Sequence, residues 1–386
     1  MTVIFEKREL PIVSVAFAVR YGGINESAEE RGIAHFIEHM LYKGTKSRTH
    51  KQISEEIEKN GGILNGFTDE PLTAFWCKMP SKHLDTALNV LGDMIKNPLF
   101  EEKEIEKERK VIFEEMKIYH DNPDKYVFDK IQELLYRSPL NVPLIGTHQT
   151  MNSIGRDQLV NKFREIYKPG NMILCVVGDA DFNKLVATVE RNFVGPKGKI
   201  KTPKVSQKNE TRTEKRKGID QANIVLGFHS PLSTDKKVYA VKVLMSLMAN
   251  GLSSRLFYEI REKRNLAYGV HGGVSDNNFF SYSYVFVGTM KKNVQLVKKL
   301  ILQEFKKVSK GLTEKELNAA KEQLVGNYHI TREHSEGQMN HLLFSEIGGN
   351  AKEVYEFEKR VRSVKLKDVK NLAKIKKYSF FALVPE

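Results

Sequence analysis

Cysteine is nearly missing from this sequence: Cys77 and Cys175 are the two present among 386 residues. Two thiols that far apart build neither a disulfide framework nor a metal knuckle, so both read as buried reduced thiols without a redox role. Long apolar runs are missing as well. The run from Met172 to Gly178 falls well short of the roughly 20 residues that a membrane-spanning helix needs, so no membrane partner is expected. The opening MTVIFEKREL has neither the basic, apolar and small-residue succession of a secretory signal nor the Arg-rich look of a transit peptide, which reads as cytoplasmic. Basic platforms flanked by aromatic residues are also lacking. Lys and Arg number 62 against 48 Asp and Glu, a formal net charge of +14, but the two signs are interspersed almost everywhere. Charge spread in this way argues against a nucleic-acid partner, whose phosphates require a clustered basic face.

What is present is a globular composition, 40% hydrophobic and 28% charged, which excludes a disordered chain. The length suits two domains of ordinary size. A polar, Lys-rich stretch from Gly195 to Gly218 has little apolar periodicity and reads as a linker. It separates residues 1–195 from 218–386, with 196–217 between them. β-like runs open and close each half: Val13–Val19 and Met172–Val177 in the first, Asn223–Phe228 and Phe380–Val384 in the second, with helical patterns filling the middle. The expected class is therefore α+β, with two homologous α/β-sandwich-like domains, each a mixed or antiparallel sheet with helices packed on it.

The segment SAEERGIAHFIEHMLYKGT carries the chemistry. Ser27 and Glu30 have capping-box spacing and Gly44 is a reasonable stop, so a helix is predicted between them. With His35 at zero, Glu38 falls at about −60° and His39 at about +40°, placing all three on one face. Two neutral imidazoles can hold zinc while leaving room for water, and a neighbouring carboxylate that is not a ligand can take that water's proton. His35 and His39 are the expected ligands and Glu38 the base. A catalytic zinc needs a third protein ligand, and the acidic helix expected over Glu101–Tyr119 offers several. With Glu115 at zero, Glu108 lies near +20° and Glu104 near −20°, flanked by Val111 and Ile118 on one side and by Ile105, Ile112 and Tyr119 on the other. Glu114 falls at the stripe's edge. A carboxylate among apolar side chains is costly unless it meets a metal, a cation or a donor network, which singles out Glu115 and Glu108.

RGIAHFIEHMLYKGT, GGILNGFTDE at 61–70 and the acidic helix ending in EEM together resemble the inverzincin family of pitrilysin, insulin-degrading enzyme and the mitochondrial processing peptidase. The resemblance implies a zinc metalloendopeptidase with one zinc per chain. It places the third ligand at Glu115 and an auxiliary carboxylate two helical turns earlier, at Glu108. GGILNGFTDE is similar to the family's substrate-binding edge strand, which implies peptide binding along Leu64, Asn65, Gly66 and Phe67. SRLFYEIREKRNLAYGV resembles the second-half signature, in which Arg261 and Tyr268 would hold substrate and the developing oxyanion. Single-chain relatives enclose peptides in a chamber built from twice as many such domains, so this chain is expected to form half of a clamshell and to pair as a homodimer. A heterodimer with a homologous subunit is the alternative, as is a non-catalytic peptide-binding subunit of the same fold. Two departures from the family pattern are the short start before the first strand and Asp69-Glu70 after the Asn-x-x-Thr pattern.

Overall fold

The computed structural model describes residues 1–196, 198, 200 and 203–386; Lys197, Lys199, Lys201 and Thr202 of the expected linker lie outside the described residues. Alternating and continuous apolar runs become strands, as their periodicity requires. β1 (Thr2–Lys7), β2 (Ile12–Val19), β3 (Ile63–Thr68), β4 (Thr73–Pro80) and β5 (Met172–Gly178) form one sheet in the order β1-β5-β2-β4-β3. β1 runs parallel to β5, and the remaining neighbours are antiparallel. β6 (Thr211–Arg216), β7 (Ala222–His229), β8 (Ala267–Asp276), β9 (Ser281–Thr289) and β10 (Ser379–Pro385) form a second sheet in the order β6-β10-β7-β9-β8. Its single parallel pair is again the outer one, β6 with β10. The same order with the same strand senses makes the second sheet a repeat of the first, as an α+β duplication requires.

The central strands β2, β4 and β5 are buried along nearly their whole length because helices cover both faces of the sheet. In the first sheet Ser14 Oγ lies 2.9 Å from Ser335 Oγ, at the start of the helix Ser335–Ile347. Phe17, of opposite parity along β2, packs on Phe193 with ring centroids 5.1 Å apart. Strand residues of opposite parity point to opposite faces, so the two packings cover the two sides.

The compact units do not follow the halves of the sequence. One comprises Met1–Lys117, Val142–Pro203 and Thr331–Val354; the other comprises Ile118–Asn141, Lys204–Ile330 and Tyr355–Glu386. Each half therefore lends a helix to the other unit. The helix Pro123–Leu135 packs on β7 and β10, where Ser379 Oγ donates to the Leu134 carbonyl at 2.9 Å, while Ser335–Ile347 packs on β5 and β2. Their apolar stripes, Val127, Ile131 and Leu134 in one and Met339, Leu342 and Leu343 in the other, satisfy either sheet equally well as patterns. A second difference is that the end of the expected linker is β6. This edge strand is polar on both faces, with Arg212 paired to Glu133 at 2.8 Å and Glu214 accepting from Tyr126 at 2.7 Å on one side and Thr211, Thr213 and Lys215 on the other, so it carries no apolar alternation.

Candidate metal centre

The helix bearing HFIEH is α1, Ile33–Leu41, which starts later than the Ser27–Glu30 spacing predicts. Ser27 and Glu30 instead close a turn, the Glu30 amide donating to the Ser27 carbonyl at 3.2 Å. Gly32 stops the helix from running further upstream: it takes a left-handed φ of 98°, which a side chain resists. Upstream Glu26 does the capping, accepting from the amides of Gly32 at 2.9 Å and Ala34 at 2.7 Å. Those are among the orphan donors that every helix start exposes. Arg31, fully buried, lies 3.6 Å from Glu26 and donates to Glu70 at 2.5 and 3.1 Å. Glu70 follows β3, so this ion network ties the start of α1 to the end of the edge strand.

α1 (Ile33–Leu41) presents His35 and His39 to Glu115 on the acidic helix Glu102–Asp121. Glu115 Oε2 lies 3.6 Å from His35 Nε2 and 3.5 Å from His39 Nε2. One donor atom from each of the three residues falls within 4.8 Å of the other two. Donors around a tetrahedral zinc with bonds of ~2.0–2.1 Å stand about 3.3 Å apart, so this set fits such an ion. The imidazole of His39 is held by Glu108, whose Oε2 is 3.1 Å from Nδ1, and Lys43 Nζ holds the other Glu108 oxygen at 2.7 Å. A proton kept on Nδ1 for Glu108 would leave the Nε2 lone pair for a metal ion once the Nε2 proton is lost. His35 Nδ1 is buried without a hydrogen-bond partner among the described residues.

Burial alone would lower the His39 pKa, but hydrogen bonds to Glu108 and Glu115 and the nearby carboxylate charges outweigh it and raise it to about 9. Burial lowers His35 to about 4, with the neighbouring His39 adding to the effect and Glu115 opposing it. The Glu108 carboxyl is pushed up by burial yet ends below its ordinary value through His39 and Lys43. Two imidazole nitrogens held against a carboxylate are the donor set zinc accepts, and the ion would displace the proton on His39.

Glu38 lies beside this cluster, 9% exposed. Burial raises its pKa, and Thr68 Oγ1, donating to Oε2 at 2.7 Å, opposes that rise. Thr68 ends β3 (Ile63–Thr68), the outermost strand, which carries Leu64, Asn65, Gly66 and Phe67 and has β4 as its hydrogen-bonded neighbour among the described residues. Phe67 stacks on Phe344, ring centroids 6.1 Å apart. The strand approaches Glu38 closely at Gly66, where a Cβ would lie 3.3 Å from Glu38 Oε1.

The acidic helix is less deeply set than its pattern predicts. Ile105 and Ile112 are buried, but Val111 is 47% and Ile118 60% exposed. Glu115 thus sits at the rim of the buried stripe, and its side chain keeps 31% of its exposure. Glu104 pairs with Lys107 at 2.5 Å and Glu114 with Lys117 at 2.7 Å, each within its own helix. Arg261 and Tyr268 belong to the second unit. The Arg261 guanidinium lies over the rings of Phe257 at 4.7 Å and Tyr268 at 5.1 Å, and Tyr268 is 82% exposed.

Lys43 and the Glu26–Arg31–Glu70 network did not emerge from sequence patterns, and Thr68 entered only as the end of the Asn-x-x-Thr pattern, with no role assigned to it. Lys43 could have been found, since it follows His39 by one helical turn; the others depend on chain pairings that local spacing does not encode.

A duplicated α+β fold thus brings two imidazoles and a carboxylate together beside a second, buried carboxylate. The sequence profile described as "Insulinase (Peptidase family M16)" matches residues 2–148, and "Peptidase M16 inactive domain" matches 153–324. An uncharacterised zinc protease of Rickettsia felis is 34% identical over 83% of this chain and 79% of its own length. Another, from Bacillus subtilis, is 31% identical over 94% of this chain and 90% of its own. Among solved structures, a protease from Helicobacter pylori superposes with a TM-score of 0.92 at 21% identity, covering 99% of this chain and 97% of that one. A "peptidase M16 inactive domain" structure from Pseudomonas fluorescens gives 0.88 at 20% identity, covering 100% and 96%. The chain belongs to peptidase family M16. In its second half the first helix after β7, Val238–Ala249, carries no His, Asp or Glu, and among the described residues the His35, His39 and Glu115 group lies in the first half.

Proposed function

We propose that this chain is a zinc-dependent metalloendopeptidase that hydrolyses short or unfolded peptides, with His35, His39 and Glu115 holding one zinc and Glu38 acting as the base. The observation that carries this reading is the convergence of those three donors beside a buried carboxylate that is not one of them. Zinc in such a site supplies Lewis acidity, which polarises the scissile carbonyl and makes water acidic near neutral pH. Glu38 accepts the proton of the attacking water and returns it to the leaving amine, a task that suits a carboxyl whose pKa burial has raised. Thr68 holds one Glu38 oxygen and leaves the other toward β3. Glu108, backed by Lys43, keeps the His39 ring in the orientation and tautomer that binding needs.

An extended peptide adds to the free edge of β3 at Leu64–Phe67, taking affinity from main-chain hydrogen bonds, which folded substrates cannot offer. Arg261 and Tyr268 supply donors to the substrate and its oxyanion. The chamber is closed by a second copy of the chain, giving a homodimer.

The test is Glu38→Gln. Peptide cleavage should fall by several orders of magnitude while zinc stays bound, since the amide is isosteric but cannot take a proton. Wild-type activity in that variant contradicts the mechanism. Zinc-replete wild-type protein that binds peptides but never cleaves them would make it a non-catalytic subunit.

A further inference from the structure

Tyr42 follows α1 directly and stands one helical turn beyond Glu38. Its hydroxyl is buried and has no hydrogen-bond partner among the described residues. A buried hydroxyl without a partner is costly to hold in place. The hydroxyl presses on the edge strand. A Cβ at Gly66 would lie 2.5 Å from Tyr42 Oη, 3.0 Å from the Ala74 carbonyl and 3.3 Å from Glu38 Oε1. Thr68, two residues on and so on the same face of β3, is the residue that holds the other Glu38 oxygen. The strand therefore meets the Glu38 carboxylate from above at two points, Gly66 and Thr68, with Tyr42 filling the space left beside Gly66. Burial pushes the Tyr42 phenol well above its usual range, with the Glu38 charge adding to it, so the group remains a neutral spacer.

We propose that Tyr42 and Gly66 form a matched pair that sets the height of the edge strand over Glu38, making Tyr42 a positioning residue for the reaction. The inference rests on the reading of Glu38 as the base. A methyl group at residue 66 meets the Tyr42 hydroxyl and lifts β3, carrying Thr68 away from the carboxylate. Removing the hydroxyl frees most of the space that the methyl needs.

A double-mutant cycle tests this with Gly66→Ala, Tyr42→Phe and the two combined, each checked for zinc content and thermal melting. Gly66→Ala should lower kcat roughly ten- to a hundredfold, the scale of a small misplacement of a reacting group, at unchanged zinc content. Tyr42→Phe alone should lose only a few fold, and the double variant should recover most of what Gly66→Ala loses. Amide hydrogen exchange across residues 63–68 in the metal-free protein provides a second readout, with faster exchange in Gly66→Ala and protection regained in the double variant. A double variant no better than Gly66→Ala in both readouts overturns the pair. Rescue of exchange protection in a protein whose wild type cleaves nothing sustains the pair and removes Glu38's role as base instead.

Discussion

His39 is held from both ring nitrogens. Glu108 grips its Nδ1, Glu115 lies 3.5 Å from its Nε2, and together they hold its pKa at about 9 against the pull of burial. Zinc must replace that proton, so its affinity should rise about tenfold per pH unit below pH 9 and level off above it. Zinc titrations between pH 6.5 and 9.5 check this, and a flat profile contradicts it. The same group contributes stability to the metal-free fold that is complete below its unfolded value near 6.5 and is lost as pH rises through about 9. At this scale the sequence was informative about His35, Glu38 and His39, because i, i+3 and i+4 on a helix meet regardless of what packs around them. The prediction that Glu115 faces inward also rested on helical angles and agrees with its distances to both histidines. The apolar row that should have flanked it failed at Val111 and Ile118, since periodicity says which residues share a face but not how much of that face is covered.

Two elements must hold still for the proposed site to work: α1 (Ile33–Leu41), carrying His35, His39 and Glu38, and β3 (Ile63–Thr68), reaching over Glu38. The Glu26–Arg31–Glu70 network joins their ends through a guanidinium that is fully buried. Arg31 also donates to the carbonyls of Val142 at 3.0 Å and Pro143 at 3.2 Å, which fixes its plane. Removing it strands two carboxylates in the interior, so Arg31→Ala should cost about 3–5 kcal/mol of stability. Denaturant unfolding measures this directly, and a loss below about 1 kcal/mol contradicts the tie. None of it was legible beforehand. Ser27 and Glu30 have the spacing of a cap, yet a left-handed Gly32 moves the helix start and gives the capping to Glu26. The strands were easier, since apolar runs such as Met172–Gly178 have one sensible fate in a chain of this composition.

Over the whole molecule, duplication is the dominant fact. Two sheets of identical order accompany, among the described residues, one His35, His39 and Glu115 cluster, held on helices of the first unit. The duplication was legible from the spacing of apolar runs. The exchange of Pro123–Leu135 and Ser335–Ile347 between the units was not, because an amphipathic helix records that it is buried and not by which sheet. The proposed chamber requires a second copy to close it, and two-fold pairs are the commonest solution. Light scattering on the purified chain should give twice its 44.2 kDa; a monomer that gains activity only on addition of a different homologous protein contradicts self-pairing. The central claim is more direct, that His35, His39 and Glu115 hold one zinc. Metal analysis of the wild type beside Glu115→Ala and Glu114→Ala tests it. The account predicts about one zinc per chain in the wild type and in Glu114→Ala and almost none in Glu115→Ala, whereas zinc retained in Glu115→Ala and lost in Glu114→Ala would contradict it.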